Sequence, residues 1–273
     1  MLKDTTIELL TRAHQGRICV LTGAGISAES GIPTFRGKDG YWTVGSRNYM
    51  PEEMATARLF SLYPEEVWRW YLYRFGVCRW VQPNAAHVAL TALERVFGDR
   101  FALVTQNIDG LHLRAGTSTE RTFRIHGDSA YVRCSLNCGI GLLALPELGL
   151  YDAQTSLRPT DARALHCPKC GNWLRPHVLW FDEYYDEENY RAESALLAAE
   201  NADLLLVIGT SGATNLPMQI GEICTRKGAT IIDVNPEINP FTRLANRAQN
   251  GAYVAGSACE YVPEIVETLL RGG

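Results

Sequence analysis

Five short apolar runs punctuate the chain: Arg17-Ile18-Cys19-Val20-Leu21-Thr22, Phe101-Ala102-Leu103-Val104-Thr105, Leu204 to Ile208, Thr230 to Val234 and Ala252 to Val254. Continuous runs of this length, closed by turn residues, read as strands buried on both faces. Between them the spacing of apolar positions turns helical. Ile7, Leu9, Leu10 and Ala13 predict a helix over 4–15 that stops at Gly16, and Pro64 to Val81 and Ala85 to Phe97 carry the same period. Strands alternating with helices predict an α/β fold, a Rossmann-like parallel sheet flanked by helices with right-handed crossovers. Residues 128–178 break the alternation with Cys, Gly and Pro and little helical period. The expected organisation is a discontinuous large domain, 1–127 and 179–273, and a small module, 128–178, joined by part of a helical lobe from about 40–82.

Composition narrows the class. With 273 residues and 46% hydrophobic content the chain can bury a real core, and no internal repeat or low-complexity stretch interrupts it. The longest apolar stretches fall far short of the ~20 residues that cross a bilayer, so no membrane partner is expected. Met1-Leu2-Lys3-Asp4-Thr5-Thr6 does not read as a secretory leader, which makes a cytoplasmic location the expectation. A net charge of -4, with acids and bases interspersed, argues against sequence-wide nucleic-acid binding.

Candidate chemistry begins at Gly23-Ala24-Gly25-Ile26-Ser27-Ala28, which fits G-x-G-x-x-A directly after a predicted strand. Such glycines let backbone approach a pyrophosphate, although a tight turn in an ordinary α/β sheet fits as well. A hydride-transferring enzyme should follow with a second strand ending in an acid about 20 residues on. Here stands a Gly/Pro-broken loop, Gly31-Ile32-Pro33-Thr34-Phe35-Arg36-Gly37-Lys38-Asp39-Gly40-Tyr41-Trp42. From it Arg36 can reach a phosphate and Phe35 can cover a reacting sugar. Hydroxyl contacts to the adenosine ribose then fall to Asn235 and Glu237 after a later strand, with Gly209-Thr210-Ser211 donating to phosphate.

Eight cysteines are too sparse for a disulfide framework, and four fall in two close pairs, Cys134-x-x-x-Cys138 and Cys167-x-x-Cys170. Four thiolates suit a closed, tetrahedral, structural zinc site, and a mixed set with His166 is the lesser option. Cys19, Cys78 and Cys224 read as small buried hydrophobes.

In order along the chain, the glycine loop with Gly31-Ile32-Pro33-Thr34-Phe35-Arg36, Thr105-Gln106-Asn107-Ile108-Asp109-Gly110-Leu111-His112, His126-Gly127, the cysteine pairs, Gly209-Thr210-Ser211 and Asn235-Pro236-Glu237 resemble the sirtuins. The resemblance spans residues 15 to 260. It implies an NAD-dependent protein-lysine deacylase, in which nicotinamide leaves and the acyl group ends on ADP-ribose. It makes His126 the general base, lets Asn107 orient the ribose or a water, and gives Asp109 with the Ile108 backbone the nicotinamide carboxamide. NAD contacts are expected along Gly23, Ala24, Gly25, Ala28, Thr34, Phe35, Arg36, Tyr41, Trp42 and Gln106 to Asp109, at Gly209, Thr210, Ser211, Asn235 and Glu237, and at the Cys259 backbone beside adenine. His87, His112, His166 and His177 keep a structural reading.

Within the sirtuins, Tyr71-Leu72-Tyr73-Arg74 with Ala55 upstream resembles the subgroup that removes succinyl and malonyl groups, as does Arg175-Pro176-His177-Val178-Leu179-Trp180-Phe181. Tyr71 and Arg74 share a helix face and can together bind a carboxylate, while Val178, Trp180 and Phe181 would line the substrate; an aromatic packing stripe with Trp68 and Trp70 is the competing reading of the helix. Two departures bear on substrate: Asp182 replaces a small residue, and Gly212-Ala213-Thr214-Asn215 is more polar than the strand expected there. Water as acceptor would make the chain an NAD hydrolase, another nucleophile an ADP-ribosyltransferase, and a chain without chemistry an NAD-sensing module.

Overall fold

The apolar runs become five of the strands of a six-stranded parallel sheet, four of them at its centre. The computed structural model describes residues 1–34, 51–152 and 155–272, with strands β1 (Ile18–Thr22), β2 (Phe101–Thr105), β3 (Thr122–Arg124), β4 (Gly127–Cys134), β5 (Leu142–Ala144), β6 (Leu174–Val178), β7 (Leu204–Ile208), β8 (Thr230–Asn235) and β9 (Gly251–Ala255). The large sheet runs β3-β2-β1-β7-β8-β9, every neighbour parallel. Alternate residues of one strand serve opposite cores, which is why the runs are apolar throughout. Val20, Leu206 and Ile232 pack with Leu90 and Val262 on one face; Leu21, Val207 and Ile231 pack with Ala195, Ile220 and Phe241 on the other. Each such side chain contributes roughly 1.5–3 kcal/mol relative to exposure.

The predicted helices form as Asp4–Ala13, Pro64–Arg79 and Ala85–Phe97, the last opened by an Asn84 cap. Strand order reverses between β1 and β7: the chain moves one way to β2 and β3, the other way to β8 and β9. In open α/β sheets a ligand cleft forms outside the carboxyl ends at such a switch point.

Residues 127–178 build a second sheet, β5-β4-β6, antiparallel. A third core joins it to the helices over 57–79, through Met54, Trp68, Tyr71, Val132, Leu174 and Trp180. Trp68 Nε1 donates to the Leu174 carbonyl at 2.7 Å, fixing that junction. Cys19 and Cys224 are fully buried as expected, whereas Cys78, near the end of its helix, is only half-buried. None of the helices among the described residues is long and apolar enough to cross a membrane.

Candidate active site

At the switch point β1 and β7 touch backbone to backbone. Gly23 N donates to the Ile208 carbonyl at 3.0 Å and Gly25 N to the Gly209 carbonyl at 2.8 Å. A Cβ on Gly25 would lie 2.6 Å from Gly209 Cα, and one on Gly209, whose φ is +60°, would meet Ile26 N at 2.5 Å. The glycines are therefore required by the closure of the two strand ends on each other, a demand separate from any approach to phosphate. A seven-residue 3-10 helix, Ala24–Ser30, follows.

The β2 end supplies the next layer. Gln106 Nε2 donates to Thr210 Oγ1 at 2.8 Å and to the Thr22 carbonyl at 3.2 Å. Asn107 Nδ2 donates to the Gly23 carbonyl and to Ser27 Oγ, both at 3.1 Å, leaving its buried Oδ1 without a partner among the described residues. Ser27 Oγ in turn donates to Asp109 Oδ2 at 2.7 Å, and Leu111 N donates to Oδ1 at 2.8 Å. Burial raises the Asp109 pKa against these bonds, which lower it.

His126 is half-buried just before β4. Its Nδ1 lies 3.0 Å from the Gln106 carbonyl, which can only accept, so Nδ1 carries the proton and Nε2 the lone pair. Tyr185 hydroxyl stands 2.9 Å from Nε2. Burial pushes the imidazole down to about 4 although the Gln106 carbonyl pulls it up, so the ring is neutral at physiological pH and stays so well below the ordinary value near 6.5. His87 and His112, whose rings lie 4.8 Å apart, are held by Ser27, Asn84 and Thr22 and are also pushed down by burial.

On the far wall Tyr71, Arg74, Ala55, Val178 and Trp180 are all buried. Tyr71 hydroxyl accepts from Trp180 Nε1 at 2.8 Å, and the Arg74 guanidinium lies 3.8 Å from the Trp70 ring centre. Trp68 and Trp70 pack as the aromatic stripe expected, and Tyr71 and Arg74 are buried in the same wall, Tyr71 bonded to Trp180 and Arg74 to the Trp70 carbonyl. Burial raises the Tyr71 pKa, with Arg175 and Arg74 pulling against it, so its hydroxyl stays protonated. Phe181 is exposed, its amide donating to the Ala55 carbonyl at 3.0 Å. The Val178 carbonyl accepts from Arg175 Nη2 at 2.7 Å.

The two departures have structural causes. Asp182 accepts from Ala57 N at 2.8 Å and Arg58 N at 3.0 Å, so it caps the short helix Ala57–Leu62. Thr214 precedes the helix Asn215–Lys227, which begins where a strand was expected. Asn235 Nδ2 donates to the Thr210 carbonyl at 2.9 Å, tying β8 to β7, while Ser211 and Glu237 are exposed. The Cys259 amide, expected beside adenine, donates to Glu29 Oε2 at 2.9 Å. Ala28 is exposed and Thr34 half-buried; Phe35, Arg36, Tyr41 and Trp42 lie outside the described residues. Ser27, Tyr185 and Glu29 were not singled out by sequence, because their partners are 59 to 230 residues away.

The sulfurs of Cys134, Cys138, Cys167 and Cys170 lie within 4.8 Å of one another, unbridged by disulfides. Zn–S bonds of about 2.3 Å put tetrahedral ligands roughly 3.8 Å apart, so the cluster fits a structural zinc. His166 turns instead to the Ala162 carbonyl, 2.8 Å away, and packs against Trp173 with the rings tilted by 37°, outside the sulfur set.

Residues 23–215 match the Sir2 family. An NAD-dependent protein deacylase of Leptospira interrogans is 37% identical over 254 residues, 93% of each chain, and one of Thermus thermophilus is 40% identical over 245 residues, 89% of this chain and 88% of the other. Among solved structures, a Sir2 homologue in complex with ADP-ribose superposes with TM-score 0.80 at 33% identity, covering 99% of this chain and 97% of that one. A Sir2 homologue–NAD complex gives 0.77 at 35%, covering 97% and 93%.

Proposed function

Since the chain belongs to the Sir2 family, we propose that it is an NAD-dependent protein-lysine deacylase that prefers acyl groups ending in a carboxylate, succinyl and malonyl, over acetyl. The overall balance is acyl-lysine, NAD and water giving lysine, nicotinamide and O-acyl-ADP-ribose. NAD, when bound, supplies the C1′–nicotinamide bond that breaks and the ribose hydroxyl that receives the acyl group. The chain's own parts fit that ligand. Asn107 Oδ1 is a buried acceptor still to be used, Gln106 and Thr210 line the switch point, and the neutral His126 can take a proton through Nε2. Removing such a base costs roughly 10²–10⁴-fold in rate.

The acyl preference rests on one observation, Tyr71 and Arg74 one helical turn apart within a buried apolar wall. A carboxylate entering there meets a hydroxyl and a guanidinium, which favour an anion over an uncharged acetyl group. The test is mass spectrometry of succinyl-, malonyl- and acetyl-lysine peptides incubated with enzyme and NAD. Faster loss of succinyl or malonyl is expected, with Arg74→Met lowering the desuccinylation-to-deacetylation ratio at least about tenfold, the loss of one charge-assisted contact. Equal or faster acetyl removal overturns the preference. Free ADP-ribose in place of O-acyl-ADP-ribose would make the enzyme a hydrolase.

A further inference from the structure

Tyr185 lies outside every motif that marks the family, yet it touches the one atom of His126 that a general base must offer. With Nδ1 committed to the Gln106 carbonyl, Nε2 holds the only lone pair of the ring, and the phenol hydroxyl 2.9 Å away donates to it. On its other side stands the Thr214 hydroxyl, whose single proton serves either the Tyr185 oxygen or Gln106 Oε1, 3.0 Å away. Two hydroxyl protons, those of Tyr185 and Thr214, thus serve three contacts linking His126, Tyr185, Thr214 and the Gln106 side chain, so the Tyr185–Thr214 contact is unmade while Tyr185 donates to His126 and Thr214 to Gln106.

The segment bearing Tyr185 is fastened by long-range contacts. Asp182 caps the helix Ala57–Leu62, Glu183 pairs with Arg175 and accepts from Trp180 N, and Tyr190 accepts from Arg133 at 3.0 Å while stacking on His177. Tyr185 is held over the base by the tertiary fold. A second hydroxyl cannot use the Nε2 lone pair while the phenol holds it.

We propose that Tyr185 is a positioning residue that holds the acceptor atom of His126 until a ribose hydroxyl takes its place, whereupon Tyr185 passes its hydrogen bond to Thr214. This rests on His126 being the base. No proton leaves Tyr185: one O–H···N bond is exchanged for one O–H···O bond. Burial keeps the phenol protonated, its pKa pushed up to about 12 against the pull of Thr214. Among the described residues, the polar groups facing the imidazole are Gln106, from the end of β2, and Tyr185, from the segment after β6.

The test compares the whole enzyme with Tyr185→Phe, Thr214→Val and His126→Ala, reading kcat/KM for an acyl-lysine peptide against pH and the His126 titration by NMR. A donor to Nε2 stabilises the neutral ring, so Tyr185→Phe should raise the His126 pKa and move the acidic limb upward by roughly 0.4 to 1 pH unit. Above that limb its kcat/KM should still fall roughly three- to tenfold, because the imidazole is no longer held for the incoming hydroxyl. Thr214→Val keeps the shape but removes the receiving hydroxyl, and should lower kcat/KM roughly three- to tenfold with the His126 titration in place. An unmoved limb and titration in Tyr185→Phe, or wild-type turnover in Thr214→Val, overturns the hand-over. Should Tyr185→Phe not fold, Thr214→Val still decides. An active His126→Ala overturns the base itself; an inactive one beside an unaltered Tyr185→Phe profile removes only Tyr185.

Discussion

Two buried polar networks meet at the segment after β6, and they are made of opposite materials. The one at the switch point, Thr22, Ser27, His87, Thr105, Gln106, Asn107, His112 and His126, consists of hydroxyls, amides and neutral imidazoles, with Asp109 the one carboxyl in it. The other, between the small sheet and the helical lobe, is charged: Arg175 pairs with both oxygens of Glu183, Arg133 lies 3.5 Å from one of them, and Trp180 is stacked 3.5 Å from the Arg175 guanidinium. Full charges in a low dielectric hold segments in place; neutral groups hold tautomers and leave an acceptor such as Asn107 Oδ1 for a ligand. On the proposed assignment of His126 and Asn107, the chemistry falls where the charge is low and the scaffolding where it is high.

The sharpest way to break that distinction is to remove the shared anion. Glu183→Ala leaves Arg175 and Arg133 buried without it, a loss of roughly 3–5 kcal/mol expected from urea denaturation. Asn107→Ala removes two neutral hydrogen bonds and should cost about 1–3 kcal/mol while abolishing turnover. If Asn107→Ala destabilised the fold more than Glu183→Ala, the assignment of roles to the two networks would be reversed.

Acid probes the neutral network next. The folded chain keeps His87 unprotonated down to about 4 and His112 well below its ordinary value, whereas the unfolded chain protonates both near 6.5. Unfolded molecules bind more protons in that window, so stability falls as pH drops through it. Asp233, raised to about 6 by burial, has the opposite sign and offsets part of the loss. His126 and His177, also pushed down to about 4 by burial, add to the loss, so between pH 7 and 5.5 the net decrease should be about 4 kcal/mol. Thermal melts of His87→Gln and wild type across that range check it, since the variant should lose the smaller amount.

Much of the large sheet was legible because the strands are apolar on both faces and need only period and length to be seen. The cysteine cluster was legible from spacing. β3 was not, since Thr122-Phe123-Arg124 is too short and polar to stand out. Nor was Tyr185: nothing local distinguishes it from exposed Tyr184, and only the fold brings it to His126. Asp182 misled for the same reason. By pattern it read as an intruder along a substrate strand, while in space it meets amides more than 120 residues earlier.

Asp182 also yields the smallest effect and the one that sharpens the boundary between the networks. Its carboxylate satisfies two of the open N–H groups of the helix Ala57–Leu62, which Thr56 caps as well through Leu59 N at 3.1 Å. Asp182→Ala should therefore cost about 1 kcal/mol, the ordinary worth of a helix cap, and Asp182→Asn should recover most of it. The neighbouring Phe181 amide is tied to the Ala55 carbonyl, so a loosened cap also frees the wall that carries Ala55 and Tyr71. KM for a succinyl-lysine peptide should then rise severalfold with the pH profile of His126 in place. A shift of that profile instead would mean that the cap, through Glu183 and Tyr185, reaches the base, and that the two networks are one.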